Sequence, residues 1–281
     1  MMHYITLEAG KESKKHYENF PVATFLYPKE IRETAIILYQ FARTIDDIAD
    51  EGNLSDSERL KKIAIYQDNL NLIKKNNLNV TPLFKDIYKI INRYSIQIKL
   101  FQKFIDAFKQ DVSKTRYKNY NEIIDYTNKA AAPAGEMILA LFNKNSRKNI
   151  IYSNSICHAF ALIGISQDIH EDILKGRLYI PLSFMKKFNL RIADIHDKKF
   201  TTNWKKFKQS WLSLIELNIL KGLPLIGSTE GRLNLQVKIM ISAANLLIKR
   251  MKNADCDLFV NPPKLSKFDW LLLFCRCILL K

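Results

Sequence analysis

The sequence predicts an all-α fold, a helical bundle forming a single domain over residues 1–281, and three observations carry that expectation. Apolar residues recur at helical spacing almost from end to end. Glycine and proline are scarce, 8 of each, too few to punctuate a β barrel or sandwich. No Gly/Ser linker, internal repeat or low-complexity tract marks a boundary. With 47% hydrophobic residues in 281, such a chain can bury a sizeable apolar cavity.

Taken in order, the first helix starts at Pro28, where proline is tolerated in the opening turn, and carries Ile31, Ala35, Leu38, Ala42, Ile45 and Ala49 at spacings of three and four. Gly52 and Asn53 stop it. Polar and capping residues then bound helices over 55–75, 82–94, 98–112, 120–143 and 148–174. Pro181 blocks helix in the following loop, KGRLYIPLSF. Later helices cover 204–221, 229–251 and 267 to the end, separated by GLPLIG and by Pro262-Pro263.

The formal net charge of +16, from 44 Lys plus Arg against 28 Asp plus Glu, favours anionic partners such as membranes, nucleic acids or phosphorylated substrates. A solvated lysine-rich surface accounts for the same charge, since stretches such as LIKKNNLN (72–79) are spread along the chain. Aromatic and basic residues are not interleaved, and no nucleic-acid motif occurs, so nucleic acid is not an expected partner. Cys157, Cys256, Cys275 and Cys277 show neither zinc-site spacing nor the density of a disulfide scaffold, which points to a reducing cytoplasm. The start of the chain lacks the apolar core of a signal peptide, and WLLLFCRCILL (270–280) is too short to span a bilayer. A cytoplasmic protein in peripheral contact with the membrane is the expectation; the oligomeric state is not legible.

Two acidic clusters carry the chemistry. In FARTIDDIADE (41–51), Asp46 and Asp50 lie four apart and project from one helix face about 6 Å apart, with Asp47 beside them and Arg43 one turn earlier. Like charges at that spacing repel, and the helix C-terminus disfavours them further. A magnesium ion, which takes oxygen ligands and keeps several waters, offsets both costs. The plainer reading is that the acids solvate a helix end, and for an isolated hexapeptide it is the stronger one.

Recurrence changes that balance. SQDIHEDILKGRLYIP (166–181) repeats the spacing with Asp168 and Asp172, followed by Lys175, Arg177 and Tyr179. Both clusters can then sit at the rim of one cavity. Carboxylates that bridge metals to a diphosphate, with an Arg fork for the remaining charge, form a coherent set. Phe101, Phe104 and Phe108 form a stripe that Asp111 continues. Such a stripe is ordinarily core, yet ring faces also suit a hydrocarbon cation. His158 and His170 read as ordinary helix residues.

ENFPVATFLYPKEIRETAIILYQFARTIDDIADEG (18–52), FIDAFKQDVSKTRY, YTNKAAAPAGEMIL (126–139), QDIHEDILKGRLYIP and PPKLSKFDWLLLF (262–274) together resemble the squalene and phytoene synthase family. Asn-Phe-Pro-Val-Ala and the unbroken FARTIDDIADEG most resemble its bacterial hopanoid-pathway hydroxysqualene synthases. The resemblance implies an isoprenoid-synthase helical fold around a central apolar cavity. It also implies a prenyl or presqualene diphosphate substrate and magnesium held by Asp46, Asp47, Asp50, Asp168 and Asp172. Arg43, Arg177 and Tyr179 are implied at the diphosphate, and Tyr39 and Tyr126 at the cavity, with Lys175 and Asp111 nearby. Ionisation and water capture need no NADPH. Head-to-head condensation of two prenyl diphosphates is the alternative, and a basic helical protein that binds membranes or nucleic acid is the non-enzymatic one. Three features depart from the family pattern. Ala161 and Gly164 stand where a Gln and an Asn are usual, Pro133-Ala134-Gly135-Glu136 replaces Pro-Val-Gly-Arg, and Ala243-Ala244 replaces a Gly pair.

Overall fold

The computed structural model describes residues 26–253 and 256–279; the motif opening at 18–25 lies outside the described residues. Among the described residues every regular element is a helix, and the only β pairing is an isolated parallel bridge between Arg116 and Leu178. The chain divides into two compact units: one runs to Ser113 and takes in Met137–Asn143, and the other comprises Lys114–Glu136 and everything from Lys144.

The first unit holds α1 (Lys29–Asp50), α2 (Asp56–Lys74), α3 (Pro82–Tyr94), α4 (Ile98–Ser113) and the later part of α6 (Ala132–Leu141). Local chemistry sets the ends. Ser55 and Glu58 form a capping box at the start of α2, and Pro82 occupies the first turn of α3, where no N–H is needed. Gly52, at φ +70°, makes the left-handed turn after α1. Phe41 on α1 is fully buried, its ring 5.2 Å from Phe101, 5.8 Å from Phe84 and 5.9 Å from Tyr66. That packing, with Ile45 and Ala49 also buried, turns positions 46, 47 and 50 away from the core.

The second unit holds α5 (Tyr120–Ala130), the start of α6, α7 (Arg147–Gln167), α8 (Ile169–Leu174), α9 (Leu182–Lys187), α10 (Ile192–His196), α11 (Thr202–Gly222), α12 (Pro224–Ser228), α13 (Gly231–Lys252) and α14 (Lys267–Leu279). Helices α7 and α11 pack so closely that a Cβ on Gly222 would come within 2.3 Å of Ile156 and 3.0 Å of the Tyr152 carbonyl. Trp211 on α11 is buried and donates from Nε1 to Ser166 Oγ at 2.9 Å.

Two predicted helices are broken. The 120–143 segment divides at Ala131, because Pro133 supplies no N–H to a continuing helix and its ring crowds the carbonyl four residues back. The 148–174 segment divides at Asp168, whose φ of −104° and ψ of 8° leave the helical region. Ser166, two residues earlier, donates its hydroxyl to the Leu162 carbonyl at 2.7 Å, a back-bond of the kind that bends helices. The short helices α9, α10 and α12 fall in stretches for which the sequence predicts no helix, and α13 begins at Gly231, two residues after the expected start. No described helix is long and apolar enough to cross a membrane.

Candidate functional site

The first acidic cluster is the C-terminal end of α1. Arg43 donates from Nη1 to Asp46 Oδ2 at 3.0 Å and from Nη2 to Glu51 Oε1 at 2.7 Å, and the same Nη2 forms an ion pair with Asp47 Oδ1 at 2.7 Å. One guanidinium is thus shared by three carboxylates, two at the i+3 and i+4 spacings of the helix and the third, Glu51, eight residues on at its C-cap. Burial pulls the Arg43 pKa down, but Asp46, Asp47, Tyr39 and Glu51 outweigh it and the net shift is upward. Asp46 and Asp47 remain 38% and 34% exposed, open enough to take further ligands. Asp50 lies one turn on from Asp46, half-buried. Tyr66 on α2 stands behind the cluster; burial pushes its phenol up to about 12, with a hydrogen bond between it and Thr44 opposing and Asp47 adding to the rise.

Sequence reasoning missed the residue that finishes this helix. Arg59, in the first turns of α2, donates to the carbonyls of Ile48 at 2.7 Å, Glu51 at 2.9 Å and Gly52 at 2.8 Å. It satisfies carbonyls that a helix end leaves open and puts positive charge where the macrodipole is negative. Its position, eleven residues past Ile48, gives no periodic signal.

The second cluster lies in the other unit, around the break between α7 and α8. Asp168 is exposed at the break, and the Asp172 N–H donates to its carbonyl at 2.8 Å, so the helical register of the two acids survives. Asp172 and Arg177 pair at 3.1 Å with only 14% and 13% of their side chains exposed. Arg177 also lies over the Tyr179 ring, 5.8 Å from its centroid. Lys175 is exposed just before the turn at Gly176, φ +78°.

Tyr179 and Tyr126, both expected at the site, do come together, their ring centroids 5.3 Å apart. Tyr117, which sequence reasoning passed over, completes the group at 5.7 Å from Tyr126 and 5.4 Å from Tyr179, with Lys114 Nζ 4.6 Å from its centroid. Backbone pairing explains the meeting. Leu178 N–H donates to Thr115 O at 3.0 Å, Leu182 N–H to Tyr117 O at 2.8 Å, and Arg116 Nη1 to Gly176 O at 2.7 Å. These contacts join segments sixty residues apart, beyond the reach of local pattern.

The remaining candidates separate by unit. Asp111 is buried at the end of the Phe104–Phe108 stripe in the first unit, where the two rings stack at 6.3 Å. Tyr39 lies on α1 one turn before Arg43. Glu136, half-buried, accepts from Asn154 Nδ2 at 3.4 Å. At Gly164 an added Cβ would meet nothing within 4 Å, so the missing side chain is not forced by packing. His158 and His170 have structural partners, Thr127 Oγ1 at 2.7 Å and the Ile195 carbonyl at 3.0 Å. A polar cleft of about 340 Å³ in the second unit, lined by Asn189, Arg191, Asp194, Thr201, Thr202 and Asn203, includes none of the expected residues and suits no hydrocarbon chain.

Both clusters offer oxygen donors only, the set that magnesium takes and that soft thiolate-seeking metals do not. Among the described residues no three His, Cys, Asp or Glu side chains group as a self-sufficient metal cage. A divalent ion here would complete its shell from water and substrate oxygens, as magnesium does when it binds through one or two carboxylates.

The family model for squalene/phytoene synthase matches residues 13–269. Hydroxysqualene synthase of Zymomonas mobilis is 31% identical over 63% of this chain and 59% of its own length, and that of Sinorhizobium fredii is 26% identical over 85% and 80%. Phytoene synthase of Mycobacterium tuberculosis is 25% identical over 62% of this chain and 56% of its own. Among solved structures, squalene synthase HpnC from Alicyclobacillus acidocaldarius superposes with a TM-score of 0.78 at 22% identity, covering 88% of this chain and 92% of its own. A ligand-bound dehydrosqualene synthase superposes with a TM-score of 0.82 at 17% identity, covering 97% and 94%. At those identities the two structures speak for the helical fold.

Proposed function

We propose that this chain, which belongs to the squalene/phytoene synthase family, ionises presqualene diphosphate and lets water capture the carbocation, giving hydroxysqualene and diphosphate. The observation that carries the reading is a pair of acidic helix ends, each with its own arginine, in a chain similar over 85% of its length to a hydroxysqualene synthase. Carbon–oxygen bond breaking leaves the electron pair on diphosphate, and water supplies the new hydroxyl and returns one proton to solvent. No electrons enter, so the reading needs no NADPH.

Magnesium, held by Asp46, Asp47, Asp50, Asp168 and Asp172, would supply the charge that lets diphosphate leave. The chain's own residues do the rest. Arg43 and Arg177 offer forked donors to phosphate oxygens, and Lys175 adds an exposed point charge. Tyr179 lies beneath Arg177, where its hydroxyl and ring can orient the same group. The ring faces of Tyr126 and Tyr117 carry negative quadrupole and favour a nearby hydrocarbon cation. Tyr39 and Asp111 belong to the substrate surface in this reading, and apolar walls hold bulk water off the cation. Substrate and product are lipids, which fits a cytoplasmic protein in peripheral contact with a membrane.

The test is product analysis by mass spectrometry after incubating the purified protein with presqualene diphosphate, with and without magnesium. Hydroxysqualene formed only with the metal is expected. Inertness toward presqualene diphosphate, alongside turnover of farnesyl or geranylgeranyl diphosphate, would replace this reading with head-to-head condensation, which the likeness to phytoene synthase favours. Inertness toward all three, with salt-sensitive binding to vesicles or nucleic acid, would instead leave a basic binding protein.

A further inference from the structure

Helix α14 carries a polar-to-apolar division that its own packing leaves half used. Asp269 and Leu273 are buried, and Asp269 is fixed to Arg250 of α13 by hydrogen bonds of 2.5 and 3.0 Å. The same Asp269 accepts from the Ser266 N–H at 2.7 Å at the start of the helix. Cys277 continues this face, its sulfur 3.6 Å from Ser242 Oγ. The rotation of the helix is therefore set by contacts on one side.

The other side is apolar and exposed: Phe268 at 65%, Leu271 at 57%, Leu272 at 52%, Ile278 at 45% and Leu279 at 79%, with Cys275 among them. At about 100° per residue these six positions fall within an arc of roughly 120°, a continuous stripe. Lys267 borders one edge of the arc and Arg276 the other, and both are exposed. Water does not favour such a stripe, and apolar residues concentrated on one helix face differ from the singly scattered leucines of ordinary surfaces. The helix is 13 residues long, and no described helix can span a bilayer.

We propose that the exposed face of α14 seats the protein on the surface of an anionic lipid bilayer, with Phe268, Leu271, Leu272 and Leu279 entering the acyl boundary and Lys267 and Arg276 at the headgroups. Charge selects this occupant over a second copy of the chain. A stripe edged on both sides by cations, on a chain of net charge +16, is attracted to phosphate headgroups and repelled by its own likeness. The proposal identifies the surface behind the membrane contact suggested above, but it does not depend on which diphosphate the protein consumes.

The test uses the full-length protein and no substrate. Co-sedimentation is measured with vesicles of phosphatidylcholine alone and of phosphatidylcholine with phosphatidylglycerol, for the natural chain, a Phe268→Ser/Leu272→Ser double variant and a Lys267→Glu/Arg276→Glu double variant. All four substituted side chains are exposed, and thermal melts report whether the fold is kept. We expect binding to the anionic vesicles at least tenfold tighter than to the neutral ones, and a loss of tenfold or more in each variant. A natural chain that stays in solution, or a serine variant that sediments as well as the natural one, overturns the proposal. So does a natural chain that is dimeric by light scattering and becomes monomeric in the serine variant, which would make the stripe an interface between copies.

Discussion

At the end of α1 the Arg43 guanidinium engages three carboxylates that stay at least a third exposed, whereas beyond the break in α7 the Arg177 guanidinium pairs with Asp172 and both side chains are nearly buried. Exposed pairs contribute little, typically under about 1 kcal/mol, because water screens them and the side chains lose entropy in forming them. A buried pair is costly to break, because the partner left behind keeps its desolvation penalty. The first end can therefore exchange its arginine for another cation at small cost, while the second keeps Arg177 fixed over Tyr179. One cluster is suited to capture charge and the other to hold a positive group in place.

The largest effects that test this difference are catalytic. Asp46→Asn and Asp168→Asn should each lower diphosphate release by a factor of about 10³ if the carboxylates stabilise the departing charge through a metal. Their unfolding free energies should move by less than about 1 kcal/mol, since both positions are open to water. Release rates and urea unfolding on the same preparations check both halves; full activity in either variant would remove that acid from the site.

Next in size is the stability contrast. Arg177→Ala, which removes a nearly buried partner of Asp172, should cost roughly 3–4 kcal/mol, while Arg43→Gln should cost no more than about 1 kcal/mol. Denaturant midpoints at constant slope measure the two. Equal losses would mean that the two arginines play the same role.

A pH experiment separates the units. Burial pushes His158, on α7, down to about 4, against an ordinary value near 6.5. A histidine with a depressed folded pKa binds fewer protons folded than unfolded between those values, so stability rises with pH there. Its contribution is complete above about pH 6.5 and is lost as pH falls toward 4, on the order of 3 kcal/mol at 1.4 kcal/mol per pH unit. The first unit contains no described histidine. Hydrogen exchange between pH 7 and 5 should show protection falling first around α7 and α11, and His158→Gln should reduce the difference.

The smallest effect concerns Gly164. Its surroundings leave room for a Cβ, so Gly164→Ala should raise stability by about 0.5–1 kcal/mol through helix propensity alone. A loss instead would show that the backbone before Asp168 depends on glycine.

Much of this was legible in the residues. The helices α1, α3 and α4 follow from apolar spacing and from Pro28 and Pro82, and the contact of Arg43 with Asp46 and Asp47 follows from i+3 and i+4 geometry. Pro133 carried the signal for the break at Ala131, but the apolar periodicity running through it masked the missing N–H. The break at Asp168 was hidden for a different reason. It coincides with a Ser166 back-bond and an indole hydrogen bond from Trp211, forty-five residues away. Arg59, Arg116 and Tyr117 escaped because each acts through backbone atoms or rings distant in sequence, and no periodic rule connects such partners.

Arg59 gives the terminus of α1 a property that the acids alone could not. With the carbonyls of Ile48, Glu51 and Gly52 already engaged, the last turn need not refold around each arriving ligand. The entropy of ordering that turn is met once, during folding, and affinity at the acidic end is not spent on shaping it. Loosening the arginine should therefore slow capture before it weakens the folded state, so that kinetics would register its absence earlier than calorimetry.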